Sequence, residues 1–124
     1  MKQGVWSHVC GVIRIAVRKR YKDNKNMGNY VKHIIQSGPS IGGDNGTEAS
    51  VWFTEEPLDK LIKVGRDEDY RVVITIFGDL ENVTKEETRK MYDEFIRYLM
   101  TECRIIQKSS TIIDNDREKR RPKV

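Results

Sequence analysis

The chain is poor in cysteine and in long apolar runs. Cys10 and Cys103 are its only cysteines, too few for a disulfide framework, and a reducing cytoplasm is the expected setting. No apolar stretch approaches the ~20 residues that a membrane-spanning helix needs. The first four residues lead straight into strand-like sequence, with no signal-peptide cleavage site. We therefore expect a cytoplasmic protein that does not associate with membranes.

Histidine is equally scarce, which limits catalysis and metal binding. His8 and Cys10 would share one face of a strand, but neighbours two apart lie roughly 6–7 Å apart along it, whereas proton transfer needs ~3 Å. Ser7 would point to the opposite face. His33 and Cys103 complete the set, which contains no Cys-x2-Cys or His-x3-His pair of the kind that structural zinc sites use. We expect a buried Cys10, a hydrogen-bonded structural His8, no catalytic residue, no metal and no cofactor.

The net charge of +4 is confined to one end of the chain. The last eight residues contain one acidic side chain, Glu118, and five basic ones: Arg117, Lys119, Arg120, Arg121 and Lys123. The remaining residues are formally neutral, so the field of the body alone does not favour nucleic acid. We expect a single α+β domain over residues 1–114 and a basic, flexible tail over 115–124.

The clearest signals for secondary structure lie in residues 70–114. Val72, Ile74 and Ile76 alternate with other residues in a β-branched run, which predicts a strand closed by Phe77-Gly78-Asp79-Leu80. Thr84 and Glu87 have the spacing of a capping box. A helical stripe follows, made of Met91, Tyr92, Phe95, Ile96 and Leu99. Residues 103–113 read as a returning strand.

The first half of the chain predicts two more strands and a short helix. Residues 5–18 form a strand that is apolar on both faces, which favours a central position, and Gly11 marks a bulge or a close approach. Asn29 is a candidate cap for a helix that ends at Gly38-Pro39. Residues 41–47 predict a flexible loop with an Asn45-Gly46 turn, residues 48–54 a strand, and residues 57–62 a helical turn.

The predicted order is therefore that of a ferredoxin-like βαββαβ sandwich, a four-stranded antiparallel sheet with two helices on one face. The second face would carry Trp6, Trp52 and Phe77. An exposed aromatic patch of this kind usually marks a partner surface. We predict an oligomer interface formed by these three residues, and hence a homo-oligomer.

Basic residues cluster where the first strand ends, with one tyrosine among them and one opposing aspartate. Interleaved basic and aromatic side chains clamp phosphates and stack on bases. We predict an anion or nucleotide site there, made of Arg14, Arg18, Lys19, Arg20, Tyr21, Lys22 and Lys25. A solvated loop is the alternative reading of this cluster, and a solubilising end is the alternative reading of the tail.

Three stretches carry a resemblance to known proteins: Trp6–Arg14, the glycine-rich loop before the second strand, and Phe77-Gly78-Asp79-Leu80. They resemble small, uncharacterised proteins encoded by bacteriophages and prophages. The resemblance implies a virus-associated setting in the host cytoplasm, in which short proteins act by binding or sequestering. It implies no enzymatic activity.

Three functions follow as hypotheses. The first is a non-enzymatic, homo-oligomeric binding protein that holds an anionic ligand, a nucleotide or nucleotide-derived signal, with counter-defence sequestration as one instance. The second is a nucleic-acid-binding protein that uses the basic cluster and the tail. The third is a protein–protein adaptor or inhibitor of a host factor.

Overall fold

Six elements follow one another along the chain in the computed structural model, which describes residues 5–56 and 69–116. They are β1 (Val5–Arg18), α1 (Asn24–Gln36), β2 (Ser50–Glu55), β3 (Asp69–Glu81), α2 (Lys85–Glu102) and β4 (Arg104–Asp116). The strands form an open antiparallel sheet in the order β2-β3-β1-β4, which confirms the predicted α+β class. The helical turn predicted over 57–62 and the predicted tail cations at 117–123 lie outside the described residues.

β1 occupies the centre of the sheet, as its two apolar faces predicted. Its inward side chains, Val9, Ile13, Ile15 and Val17, are buried. Gly11 lies among them because the ring of Tyr92 on α2 comes close to the backbone there: a Cβ at position 11 would lie 2.8 Å from Tyr92 Cε2 and nearer still to the hydroxyl. The prediction of a close approach at Gly11 is confirmed.

α2 begins at the predicted capping box. The Thr84 hydroxyl accepts a hydrogen bond from the Glu87 backbone N–H at 3.2 Å, and the Glu87 carboxylate accepts one from the Thr84 backbone N–H at 3.2 Å. These bonds satisfy two N–H groups that the first turn would otherwise leave unpaired. The helix then buries Tyr92, Phe95, Ile96 and Leu99 against the sheet.

α1 starts six residues earlier than predicted, because Asp23 rather than Asn29 caps it. The Asp23 carboxylate accepts a hydrogen bond from the Asn26 backbone N–H at 2.7 Å. Met27, four residues beyond the cap, is fully buried and fixes this first turn against the core. The basic cluster therefore runs from the end of β1 into the first turn of α1 and is not all loop.

β3 also extends further than predicted, through Phe77-Gly78-Asp79-Leu80 to Glu81. Gly78 pairs with Val9 inside the strand, and glycine fits there because a Cβ would lie 2.6 Å from Ala49 Cα. Leu80 continues the inward alternation and is fully buried. Residues 77–80, which were predicted to close the strand, are therefore paired residues within β3.

The segment before β2 is tied to β3 rather than loose. Asn45 and Gly46, both at positive φ, form the predicted turn. The Thr47 N–H donates a hydrogen bond to the Asp44 carbonyl across it, at 3.1 Å. The Asp44 N–H donates to the Glu81 carbonyl at 2.8 Å. The prediction of a flexible loop over 41–47 is wrong, because these backbone hydrogen bonds connect it to the sheet.

The two faces of the sheet differ. Buried side chains from both helices share one apolar cluster with the inward side chains of β1 and β3. No described helix covers the other face, where Trp52, Phe77, Ile113 and Val12 are 65%, 60%, 52% and 40% exposed. We call this second face the open face; it also carries Trp6, His8, Cys10, Arg14 and Asp79. Among the described residues, no helix has the length and apolarity to cross a bilayer.

The contact between Gly11 and Tyr92 gives a stability test. We expect Gly11→Ala to lower the free energy of unfolding by about 1–3 kcal/mol, because the added methyl overpacks this site. Gly28→Ala is the matched control: its Cβ would meet nothing closer than the Tyr70 hydroxyl at 3.7 Å, and replacing a glycine in a helix should stabilise by about 0.5–1 kcal/mol. Urea unfolding measures both changes, and equal midpoints for the two variants would contradict the packing described.

Candidate functional site

Cross-strand register makes the exposed apolar side chains of the open face neighbours. Trp52 pairs with Thr75, which pairs with Val12; one row further along, Phe77 pairs with Cys10. Diagonal neighbours in a sheet are ~7–8 Å apart, within reach of large side chains. Phe77 is thus a diagonal neighbour of both Trp52 and Val12, and the apolar surface crosses three strands without a break.

Ile113 extends this surface onto β4. It pairs with His8, one row beyond the Cys10–Thr111 pair, so it is a diagonal neighbour of Cys10. Trp6, the third residue of the predicted interface, lies at the far end of the face beside Glu81 and is partly exposed. Trp52, Phe77 and Trp6 therefore lie on one face, as the alternation indicated. Val12 and Ile113 belong to the same exposed apolar surface as Trp52 and Phe77.

His8 contacts Asp79 across the sheet, through Nδ1 and a carboxylate oxygen. The hydrogen-bonded His8 of the prediction is confirmed, whereas the buried Cys10 is wrong: its thiol is exposed, because nothing described covers this face. Ser7 is buried on the opposite face, as expected. Among the described residues, His8 Nε2 has no hydrogen-bond partner, so Cys10 is not hydrogen-bonded to it.

Arg14 is separated from the other predicted anion-binding residues by its contacts. Its guanidinium forms an ion pair with Glu56 and donates to the Gln107 side chain at 3.2 Å. The hydrogen bond to Glu56 raises the pKa of Arg14. Arg14 belongs to the open face, with its charge balanced by Glu56, and not to an unbalanced basic cluster.

The remaining six predicted residues lie together in what we call the basic segment, residues 18–25. Arg18 ends β1, Lys22 precedes the Asp23 cap, and Lys25 lies in the first turn of α1. Their side chains are exposed, as are those of Lys19, Arg20 and Tyr21. No ion pair among the described residues involves the lysines or arginines of this segment.

The four histidine and cysteine residues considered for zinc do not assemble. His33 is exposed on α1, and the Cys103 thiol donates to the Leu99 carbonyl at 3.2 Å at the end of α2. Within residues 5–56 and 69–116, no three or more His, Cys, Asp and Glu side chains form a group suited to a metal ion.

A shallow groove runs beside Trp52, between α1 and the edge strand β2. Lys32, Ile35 and Gln36 line one side, and Val51, Trp52 and Phe53 line the other. Its volume of about 220 Å³ is below the ~300–1,000 Å³ of typical small-molecule sites. The groove therefore suits a side chain or an edge contact better than an enclosed ligand.

Sequence reasoning missed three residues of these surfaces. Asp79 was not assigned to the open face because the strand was ended too early, although Leu80 continues the alternation and signals the longer strand. Tyr30, whose ring contacts Arg20 and Tyr21, was overlooked because those contacts depend on how α1 packs beside the basic segment. Ile113 was overlooked because the pairing of β1 with β4 shifts between Arg14 and Ile15, and the sequence of β4 carries no clear sign of that shift.

The thiol of Cys103 gives a test of the local packing. Burial raises its pKa to about 11, so roughly one molecule in a thousand carries the reactive thiolate at pH 8. In the variant Cys10→Ser, Cys103 is the only thiol of the protein. We expect its alkylation by iodoacetamide to accelerate about tenfold per pH unit from pH 8 to pH 10, because the thiolate is the reacting form. A rate that levels off near pH 9 would show an unburied thiol, and alkylation in urea serves as the control.

No family model matches the chain, and no curated protein or solved structure shows significant similarity to it.

Proposed function

We propose that this protein is a non-enzymatic binding protein that works as a homo-oligomer and holds an anionic ligand. The observation that carries the proposal is the open face, where Trp52, Phe77, Ile113 and Val12 form one exposed apolar surface. Contiguous exposed apolar surfaces of this kind mark interaction sites. The basic segment supports the anionic nature of the ligand, and the resemblance to phage-encoded proteins supports a role in counter-defence.

A ferredoxin-like sandwich is the fold that we propose for it. The succession β-α-β-β-α-β and the strand order β2-β3-β1-β4 support this assignment. So does the single apolar cluster that both helices share with one face of the sheet. In such a sandwich the second face is free to bind a partner.

A second copy of this chain is the occupant that we propose for the open face. Four strands spaced ~4.8 Å apart, which average ~10 residues with a rise of ~3.3 Å per residue, give a face of roughly 600 Å² per copy. Two such faces would bury about 1,200 Å², the lower end of the range for specific interfaces. The area is sufficient for a dimer and leaves little of the face unused.

Polar pairs lie at both ends of the face: Arg14 pairs with Glu56 at one end, and His8 contacts Asp79 at the other. A twofold axis that lies between the two faces, perpendicular to the strands, places one end of each copy over the opposite end of its partner. The apolar residues then meet in the middle, where water is excluded.

The dimer is tested by substituting its central residue. We expect the wild-type protein to be a dimer in sedimentation-velocity runs at tens of micromolar, and Phe77→Glu to weaken dimerisation about 30-fold or more, because a buried charge would replace a central aromatic anchor. Met100→Glu is the matched control, since Met100 is 62% exposed on α2, away from the open face. Circular dichroism checks that both variants fold.

Two results would contradict the dimer. One is a wild-type protein that remains monomeric at several hundred micromolar. The other is equal dissociation of Phe77→Glu and Met100→Glu, which would assign the effect to charge in general. A monomer that captures a host protein through Phe77 would favour the adaptor hypothesis instead.

The anionic ligand is tested with inorganic tripolyphosphate, which carries charge and no base. We expect the variant Lys19→Gln, Lys22→Gln, Lys25→Gln to weaken its binding at least tenfold, because the neutralised side chains no longer attract it. The control carries the same change of charge on exposed lysines elsewhere, Lys85→Gln, Lys90→Gln and Lys108→Gln. Titration calorimetry at low salt measures both, and equal losses would show attraction to net charge only.

A further inference from the structure

Tyr21 is an exposed aromatic ring held among cations. It is 46% exposed, and its centroid lies 6.3 Å from that of Tyr30 on α1, at an interplanar angle of 59°. The Arg20 guanidinium lies over the same Tyr30 ring, 5.2 Å from its centroid. Tyr30 thus contacts both Arg20 and Tyr21, while Tyr21 keeps much of its own surface open to solvent.

The backbone that carries Tyr21 is fixed on both sides. The Arg20 N–H contacts the Met27 sulfur at 3.3 Å, and Met27 is fully buried. On the other side, Asp23 caps α1 through the Asn26 N–H and also accepts from the Asn26 side chain at 2.9 Å. The backbone on both sides of Tyr21 is therefore held before any ligand arrives, which lowers the entropic cost of binding.

Cations flank the ring in the sequence. Lys19 and Lys22 lie within two residues of Tyr21, and Arg18 and Lys25 follow at either end of the basic segment. No ion pair among the described residues involves any of them, in contrast to Arg14. An anion bound beside Tyr21 would meet several charges without having to displace a carboxylate.

Carboxylates limit the extent of this positive surface. Asp23 lies within the segment, and the Asn24 side chain donates to Glu55 at 2.8 Å, which places the Glu55 carboxylate beside the start of α1. A long polyanion needs a continuous positive track for its successive phosphates. The small footprint bounded by Asp23 and Glu55 favours a ligand of one or a few phosphates.

We propose that the basic segment binds a nucleotide, with the base stacked on Tyr21 and the phosphates held by Lys19, Lys22 and Lys25. This inference rests on the proposed function and deepens it, because it names the class of the anionic ligand and the residue that recognises its uncharged part. A base stacks on an aromatic side chain through its π-face whatever its identity. Tyr21 would therefore separate nucleotides from inorganic phosphates without selecting strongly among bases.

The experiment compares adenosine triphosphate and inorganic tripolyphosphate on three proteins by titration calorimetry: the wild type, Tyr21→Leu and Tyr21→Phe. A ten-nucleotide oligothymidylate is titrated into the wild type as a third probe. We expect wild type to bind adenosine triphosphate more tightly, and Tyr21→Leu to weaken that binding roughly tenfold because the stacking surface is lost. Tyr21→Leu should change tripolyphosphate binding less than twofold, and Tyr21→Phe, which keeps the ring, should behave as wild type.

Each alternative outcome has a distinct meaning. Equal wild-type affinity for adenosine triphosphate and tripolyphosphate, or equal loss of both in Tyr21→Leu, would overturn base stacking and leave anion binding intact. Binding of none of the three probes would overturn both the inference and the anionic ligand. Binding of a ten-nucleotide oligothymidylate with no binding of adenosine triphosphate would overturn the inference in favour of a nucleic-acid polymer.

Discussion

The alternation of side chains along β1 is the constraint on which the rest of the structure depends. Because β1 is central, most of its inward residues are apolar, and the inward position 11 is a glycine that leaves room for Tyr92 from α2. The same alternation turns His8, Cys10 and Val12 outward onto a face that no described helix covers. One strand therefore determines both the core and the surface that we assign to a second copy of the chain.

The end of β1 determines the second surface. The strand passes directly into the basic segment, and α1 begins just after its cap, Asp23, so that Met27 in the first turn is buried in the core. Tyr21 and its cations are thus placed at the margin of the sheet and not on the open face. Self-association through one surface leaves the other accessible, and an oligomer would carry one basic segment per copy.

Local signals in the sequence predicted the elements whose partners lie nearby. The span of β1, the capping box of Thr84 and Glu87 and the turn at Asn45-Gly46 all depend on neighbouring residues. Several errors arose where a distant partner decides: Gly78 stays in β3 because it pairs with Val9 on β1. The exposure of Cys10 and the His8–Asp79 contact likewise depend on cross-strand register, which no local pattern reveals.

Intermolecular contacts between differently labelled copies give the most direct test of the open face as a site of self-association. In a mixture of isotope-labelled and unlabelled protein, isotope-filtered nuclear Overhauser spectra record only contacts between copies. We expect cross-peaks that join the side chains of Val12, Phe77, Trp52 and Ile113 to their counterparts. Cross-peaks confined to the outer surfaces of α1 and α2, or none at millimolar concentration, would contradict the assignment of this face.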